Sequence, residues 1–161
     1  MNKEVKVAVL GATGYVGIEL VKILINHPYA KINFLGCENI NINKSTIKNS
    51  VFNNSKLPNL SLNDDFDPIK SELVFLALPH GVSHNYINKY YKKIKIIDLS
   101  ADFRLDSLST YKKNYNVDHS CPELLEKFIY GLPEINQSEL INNNNISVPG
   151  CYPTSILLPL I

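Results

Sequence analysis

The sequence has 161 residues, 45% of them hydrophobic, which suffices for one globular domain with a sizeable core. Its formal net charge of +1 provides no strongly basic surface for nucleic acid or an anionic membrane. No signal segment or membrane-length apolar run is visible, so secretion and membrane insertion are not expected. The three cysteines have neither the pairing nor the spacing of a disulfide scaffold or a zinc site. We therefore expect no metal site and a reducing, cytoplasmic environment.

The chain begins with a predicted strand, glycine turn and helix. Residues 5–10 are strand-like, and the helical spacing from Val16 to Leu24 predicts a helix that Pro28 ends. Residues 11–17 lie between them and have the spacing G-x-x-G-x-x-G. Glycines in such a turn let a phosphate group approach the N–H groups that begin the helix. Because the standard dinucleotide motif is G-x-G-x-x-G, a turn with only a packing role remains the alternative.

Residues 31–35 predict a second strand, which completes a β-α-β unit. An acidic residue after this strand commonly binds the ribose of NAD, whereas basic or hydroxyl side chains suit the extra phosphate of NADP. Glu38 lies near that place, but so do residues 44–46, with the sequence Lys-Ser-Thr, so the local chemistry leaves the choice open. Residues 39–71 predict a long, partly irregular surface connection with a short strand near Leu60.

Residues 73–78 are a continuous apolar run, typical of a central parallel strand that is covered on both faces. Ligands of doubly wound sheets gather at the carboxyl ends of strands, so Pro79 is a predicted cofactor contact. We interpret His80 and His84 as solvated residues of the turn and of the start of a helix over residues 83–91.

A further strand over residues 94–99 would deliver Ser100 and Arg104 to the same edge of the sheet. These side chains would suit a carboxylate or phosphate ligand, because a guanidinium forms paired, charge-assisted bonds with such oxygens. A surface salt bridge between Arg104 and either Asp102 or Asp106 is the alternative.

A capping-box pattern that begins at Ser120 predicts a helix over residues 123–128, and it makes Cys121 a structural residue. Residues 130–134 predict a rigid turn, and residues 138–141 predict a short helix.

The last predicted strand covers residues 145–148; Pro149 and Gly150 end it, and Pro153 lies in the first turn of a following helix. Cys151 would thus lie at a strand-to-helix turn. Unpaired N–H groups and the helix dipole favour the thiolate there, which is the nucleophilic form of cysteine. The alternative is a small buried hydrophobic side chain, and only other segments can decide.

Four segments together resemble the N-acetyl-gamma-glutamyl-phosphate reductases, arginine-pathway enzymes related to aspartate-semialdehyde dehydrogenase. They are GATGYVG at residues 11–17, DLSADFR at 98–104, YGLPE at 130–134 and VPGCYPT at 148–154. They match in order and approximate spacing over essentially the whole chain. We expect an α/β fold with a Rossmann-like, doubly wound, mainly parallel sheet. The resemblance implies NADPH-dependent reduction of N-acetyl-glutamyl 5-phosphate to N-acetyl-glutamate 5-semialdehyde, with release of phosphate.

The resemblance also implies roles for individual residues. By position, Cys151 would be the nucleophile that forms a thioester, while Ser100 and Arg104 would contact substrate. The predicted NADP-binding residues are Gly11, Thr13, Gly14, Tyr15, Val16, Gly17 and Pro79. The expected partner is a small acyl phosphate, with no nucleic acid and no membrane, and the family implies a homo-oligomer for the full-length enzyme.

Family members are considerably longer, and their second half supplies a substrate and oligomerisation domain and an acid/base histidine. We expect residues 1–147 to form the NAD(P)-binding domain and residues 148–161 to form the nucleophile turn and the start of a truncated catalytic domain. Apolar surface should be exposed over residues 156–161. Alone, this chain should turn over poorly or not at all. The alternatives are a related reductase for aspartyl or aminoadipyl phosphate and a non-catalytic nucleotide-binding remnant.

Overall fold

The computed structural model describes residues 4–40, residue 51 and residues 56–161, in which strands and helices alternate. Their contacts divide the chain into two units, Met1–Ala77 and Leu78–Ile161. This division does not test the predicted domain boundary after Ser147, which stays a prediction.

The first unit is a parallel sheet with a helix packed on it. Its strands lie in the order β3-β2-β1-β4, and their three pairings are all parallel. The elements are β1 (Val5–Leu10), α1 (Tyr15–Ile25), β2 (Ala30–Cys37), β3 (Leu60–Leu62) and β4 (Leu73–Leu76). Val7 and Val9 alternate along β1 and pack with Val21 and Leu24 of α1 in one buried cluster. The predicted strand, turn and helix are therefore confirmed.

The second unit also has a parallel sheet, with the strand order β5-β7-β6. Its strands are β5 (Lys95–Asp98), β6 (Ile129–Tyr130) and β7 (Asn145–Ser147), and its helices are α2 (Ser83–Tyr90), α3 (Leu108–Tyr115), α4 (Pro133–Ile141) and α5 (Cys151–Leu157). A 3₁₀ helix at Pro122–Lys127 precedes β6, and another at Leu158–Leu160 follows α5. The predicted α/β fold with a mainly parallel sheet is confirmed.

The prediction of a capping box at Ser120 is wrong. Cys121 occupies the N-cap position of the 3₁₀ helix at Pro122–Lys127 and makes no side-chain cap bond. The Ser120 backbone N–H instead donates to Nδ1 of His84, 3.3 Å away. A contact between residues far apart in sequence therefore prevails over the local capping pattern.

The rigid turn predicted over residues 130–134 is only partly correct, because Pro133 already begins α4. Asn136 interrupts this helix with non-helical backbone angles. Its side chain accepts from the Leu132 N–H at 3.1 Å and donates to the Tyr130 carbonyl at 2.9 Å. This local bonding explains why the pattern indicated only the later part of the helix.

The connection over residues 39–71 is not wholly a surface segment. The predicted strand near Leu60 is confirmed as β3, but Asn63 and Phe66 are buried. The Asn63 Oδ1 accepts from the Gly11 N–H at 3.0 Å, so this part of the connection holds the glycine turn. Residues 41–50 and 52–55 lie outside the described part of the chain.

Apolar side chains are exposed at the end of the chain, as predicted. Ile156, Leu158, Leu160 and Ile161 are all exposed. None of the helices formed by the described residues is long and apolar enough to cross a membrane.

Substitution of Gly17 tests how closely α1 approaches the glycine turn. A Cβ atom there would overlap the Gly11 carbonyl oxygen and lie 2.8 Å from backbone atoms of Ala12, which cannot move aside independently. At Gly14 the nearest such contact is an ordinary 3.5 Å. We expect Gly17→Ala to lower the free energy of unfolding by about 1–3 kcal/mol. Gly14→Ala should cost less than about 1 kcal/mol, as a change at a helix N-cap.

Urea unfolding of the two variants measures this difference. Equal stability of Gly17→Ala and Gly14→Ala would contradict the close approach of α1 to the glycine turn.

Candidate functional site

The glycine turn links β1 to α1. Gly11 has φ +76°, a left-handed conformation that favours glycine, and its N–H donates to Asn63. The Gly14 N–H donates to the Gly11 carbonyl at 3.1 Å, and the Ala12 N–H donates to the Gly36 carbonyl at 2.8 Å. The turn is therefore fixed by bonds to itself, to β2 and to the segment after β3.

The start of α1 has the donors that a phosphate group needs. The first helical bond runs from the Ile18 N–H to the Gly14 carbonyl, so the N–H groups of residues 15–17 precede the helical ladder. Gly14 is the N-cap and receives no side-chain cap bond. Tyr15 and Val16 are exposed, and Thr13 is half-buried. This donor set fits the pyrophosphate of a dinucleotide, because aligned N–H groups and the helix dipole favour an anion.

For the other residues considered for cofactor binding, the structure gives only their position and exposure. Glu38 is exposed just after β2, while residues 44–46 lie outside the described residues. In the second unit, Pro79 is exposed and precedes Gly81, which has φ +77°. The prediction for Pro79 remains a prediction.

Asp98 ends β5 as a fully buried carboxyl group. Its Oδ1 accepts from the Ser83 hydroxyl at 2.6 Å and from the Ser100 N–H at 3.1 Å. Its Oδ2 accepts from the Ser100 hydroxyl at 2.7 Å. Burial raises the pKa of Asp98 to about 6, and the bonds from Ser83 and Ser100 limit the rise. Sequence reasoning missed this residue, although its place at the end of an apolar strand was a signal.

Asp102 is a second buried carboxylate, and it holds the start of α2. Its Oδ1 accepts from the Gly81 N–H at 2.8 Å and from the Tyr111 hydroxyl at 2.9 Å. Its Oδ2 accepts from the His84 N–H at 3.1 Å. Burial and the bond to Asp102 raise the pKa of Tyr111, which therefore stays a protonated donor. Asp102 thus caps α2 from a distant segment and fixes the turn after Pro79.

His84 corrects one expectation, since it is buried rather than solvated. Its ring lies 4.9 Å from that of His119, which is also buried. Nδ1 of His119 accepts from the Cys121 N–H, so its proton lies on Nε2, which donates to the Asp102 carbonyl at 3.1 Å. Burial, with the neighbouring His84, lowers the pKa of His119, which keeps the ring neutral. His80, by contrast, is exposed as predicted.

The cysteines fall into two classes. Cys37 and Cys121 are buried, and their thiols donate to backbone carbonyls of Ser61 and His84. Burial raises the pKa of the Cys121 thiol to about 11, so it is unreactive near neutral pH. Cys151 is exposed at the first position of α5, with Gly150 as N-cap. Among the described residues it is the exposed thiol.

Ser100 and Arg104, the predicted substrate contacts, have different surroundings. Ser100 is buried; its hydroxyl donates to Asp98 and accepts from the Asp102 N–H at 3.1 Å. Arg104 is half-buried and donates from Nε to the Val148 carbonyl at 2.8 Å, in the turn that leads to Cys151. The alternative of a salt bridge with Asp102 or Asp106 is not what its contacts show. The structure therefore brings Arg104 to the Cys151 turn, and it directs Ser100 towards Asp98.

A parallel α/β sheet with a glycine turn at a helix start defines the class of Rossmann-like, dinucleotide-binding domains. Comparison with known proteins is more specific. The sequence profile of the family described as semialdehyde dehydrogenase, NAD binding domain, matches residues 6–143. The chain belongs to this family.

Two relatives are both named N-acetyl-gamma-glutamyl-phosphate reductase. The protein from Ehrlichia chaffeensis is 44% identical over 162 residues, with 99% of this chain and 46% of the relative covered. The protein from Ehrlichia canis is 45% identical over 163 residues, with the same coverage. This chain therefore spans about half the length of these relatives. The resemblance found in the sequence is confirmed.

A solved structure of Vibrio cholerae aspartate semialdehyde dehydrogenase II, complexed with ASA, supports the fold. It has a TM-score of 0.64 and 16% identity, with 98% of this chain and 45% of that chain covered. At this identity the likeness concerns the fold alone, and it confirms the Rossmann-like prediction.

Asp98 predicts a pH-dependent stability. Its pKa in the folded state, about 6, lies above the ordinary value of 3.8. The protonated form is therefore favoured by folding; this contribution is complete below pH 4 and is lost as pH rises through about 6. As pH rises from 4 to 7, ionisation of Asp98 should lower the unfolding free energy of the wild type by about 3 kcal/mol. Asp98→Asn, whose side chain resembles the protonated carboxyl group, should not show this decrease.

The measurement is the difference in unfolding free energy between wild type and variant at several pH values. Asp106→Asn, a change at an exposed carboxylate, is the matched control and should leave the pH dependence of wild type. The prediction fails if Asp98→Asn and wild type lose stability in parallel.

Proposed function

We propose that this chain is the cofactor-binding and nucleophile-bearing part of an NADPH-dependent acyl-phosphate reductase. Its substrate would be N-acetyl-glutamyl 5-phosphate, and its products N-acetyl-glutamate 5-semialdehyde and phosphate. The observation that carries the proposal is Cys151, an exposed thiol within VPGCYPT, in a chain 44–45% identical to two relatives named for this reaction.

Cys151 would carry the acyl group between the two halves of the reaction. Its thiolate attacks the acyl carbonyl carbon, a C–S bond forms, and the C–O bond to phosphate breaks, so phosphate leaves with the bonding electrons. When bound, NADPH supplies the hydride that reduces the thioester carbonyl. The C–S bond then breaks, which releases the aldehyde and restores the Cys151 thiolate.

The first unit would hold the cofactor through its glycine turn. The N–H groups of residues 15–17 would donate to the pyrophosphate, and Gly11, Thr13 and Gly14 would form the turn that lets it approach. We assign NADP rather than NAD from the family resemblance. Because the chain spans about half of its relatives, turnover by this chain alone is expected to be poor or absent. A homo-oligomer and a cytoplasmic location belong to the same proposal.

Selective alkylation tests the nucleophile. At pH 7.5, iodoacetamide should modify Cys151 more than about tenfold faster than Cys37 or Cys121, because only Cys151 is exposed and the others are buried. Peptide mass spectrometry after timed quenching measures the three rates. Cys151→Ser should abolish the fast phase and leave the slow one. Equal rates at the three thiols would favour the non-catalytic remnant.

Thermal shift tests the choice of cofactor. A ligand that binds only the folded chain raises its melting temperature in proportion to the logarithm of ligand concentration over Kd. NADPH should therefore raise the melting temperature more than NADH at equal concentration. The shift in melting temperature that NADPH causes in the wild type is compared with the shift in Gly14→Ala, since the new methyl group at the N-cap lies beside the predicted phosphate site. A larger shift with NADH would overturn the assignment of NADP.

A further inference from the structure

We propose that Arg104 is a positioning residue of the nucleophile turn: its guanidinium fixes the backbone of Val148 and so sets the direction in which Cys151 is presented. This role rests on the proposed function, in which Cys151 must meet an acyl carbon in a defined geometry. It differs from the substrate contact that the family resemblance implies for Arg104.

The guanidinium joins two strand ends through backbone oxygens. Nε donates to the Val148 carbonyl at 2.8 Å, directly after β7. Nη2 donates to the Leu99 carbonyl at 2.9 Å, directly after β5. Two different nitrogens of one planar group are thus used, which fixes its orientation as well as its position.

Two other polar backbone groups of the turn bond within the main chain or to a neighbouring side chain. The Val148 N–H donates to the Asp98 carbonyl at 2.8 Å. The Gly150 carbonyl accepts from both the N–H and the hydroxyl of Thr154, at 3.0 and 2.9 Å. Pro149 is buried and has no N–H. Across the part of the chain that the structure describes, Arg104 is the side chain from a distant segment that bonds to this turn.

Gly150 lies close to Nη1, the third nitrogen of the Arg104 guanidinium. A Cβ atom at Gly150 would lie 3.1 Å from Nη1 of Arg104 and 3.7 Å from its Cζ. The backbone of Gly150, with φ −67° and ψ 157°, is accessible to any residue, so the close approach of Arg104 is the constraint. The guanidinium therefore leaves little room for a side chain at the residue that precedes Cys151.

The chain has a guanidinium at this position rather than the ammonium group it uses elsewhere. Arg104 is the only arginine in the chain; apart from the four histidines, the other basic side chains are lysines. A lysine ammonium is a single point of donation on a flexible stem. It could reach the Val148 carbonyl or the Leu99 carbonyl, but it could not reproduce the planar contact between them.

Hydrogen exchange gives a direct test that needs no turnover. In Arg104→Ala, the peptide that contains residues 148–154 should lose protection by about tenfold or more, because the Val148 carbonyl loses its partner. Peptides from β1 and α1 should keep their protection. Arg104→Lys should also lose protection, but less than Arg104→Ala, because an ammonium group can reach only one of the two carbonyls. Added methylguanidine, but not methylammonium, should restore part of the protection in Arg104→Ala. Lys113→Ala, which removes an equal charge from an exposed site on α3, is the control.

A double-mutant comparison tests the contact with Gly150. Gly150→Ala should also loosen the turn, because its methyl group presses on Nη1. If Arg104 is the group displaced, adding Gly150→Ala to Arg104→Ala should cause less than about twofold further loss of protection. Fully additive losses would contradict a shared contact.

Acylation separates positioning from mere stability. Acetyl phosphate should acylate Cys151 at least tenfold more slowly in Arg104→Lys, while alkylation by iodoacetamide changes less than threefold. Unchanged exchange of the turn in Arg104→Ala would overturn the positioning role, whatever the acylation result. If iodoacetamide alkylates Cys151 of the wild type selectively but N-acetyl-glutamyl 5-phosphate does not acylate it, the proposed function fails. Hydrogen exchange then still decides whether Arg104 holds the turn.

Discussion

The buried carboxyl group of Asp98 is the constraint on which the second unit depends. Burying such a group is costly unless each oxygen has a partner, and here Ser83 and Ser100 supply the donors. The Asp98 main chain does a second task, since its carbonyl accepts from the Val148 N–H. One residue at the end of β5 therefore fixes the segment after its own strand, the start of α2 and the strand end that leads to Cys151.

Asp102 and Arg104, which follow Asp98 in the chain, connect further segments of the second unit. Asp102 receives donors from Gly81, His84 and Tyr111, so it ties α2 and α3 to the segment that follows β5. Arg104 then bonds to the Val148 carbonyl, in the turn that leads to Cys151. In this unit Asp98, Ser100 and Asp102 are buried and hydrogen-bonded, while the thiol of Cys151 is exposed. A fixed turn that presents one exposed thiol is what the proposed acyl transfer requires.

The sequence was a good guide where local patterns decide structure. Apolar runs located β1, β4 and β5. The glycine motif located the turn before α1, and apolar residues at helical spacing located α1 itself, because burial and backbone conformation act over a few residues. Contacts between distant segments could not be read in this way. Asn63 bonds to Gly11 across 52 positions, and His84 is buried by a segment 36 residues later. For the same reason the pattern offered Arg104 only ligands or neighbouring carboxylates, and not the carbonyl of Val148.

The central claim is that Cys151 is an acyl-accepting nucleophile. The most direct measurement is the intact mass of the chain after brief incubation with N-acetyl-glutamyl 5-phosphate, followed by peptide mapping and treatment with hydroxylamine. The account predicts one acyl group on Cys151, removed by hydroxylamine as a thioester is, and none in Cys151→Ser. No adduct on wild type, or an adduct spread equally over Cys37, Cys121 and Cys151, would contradict it.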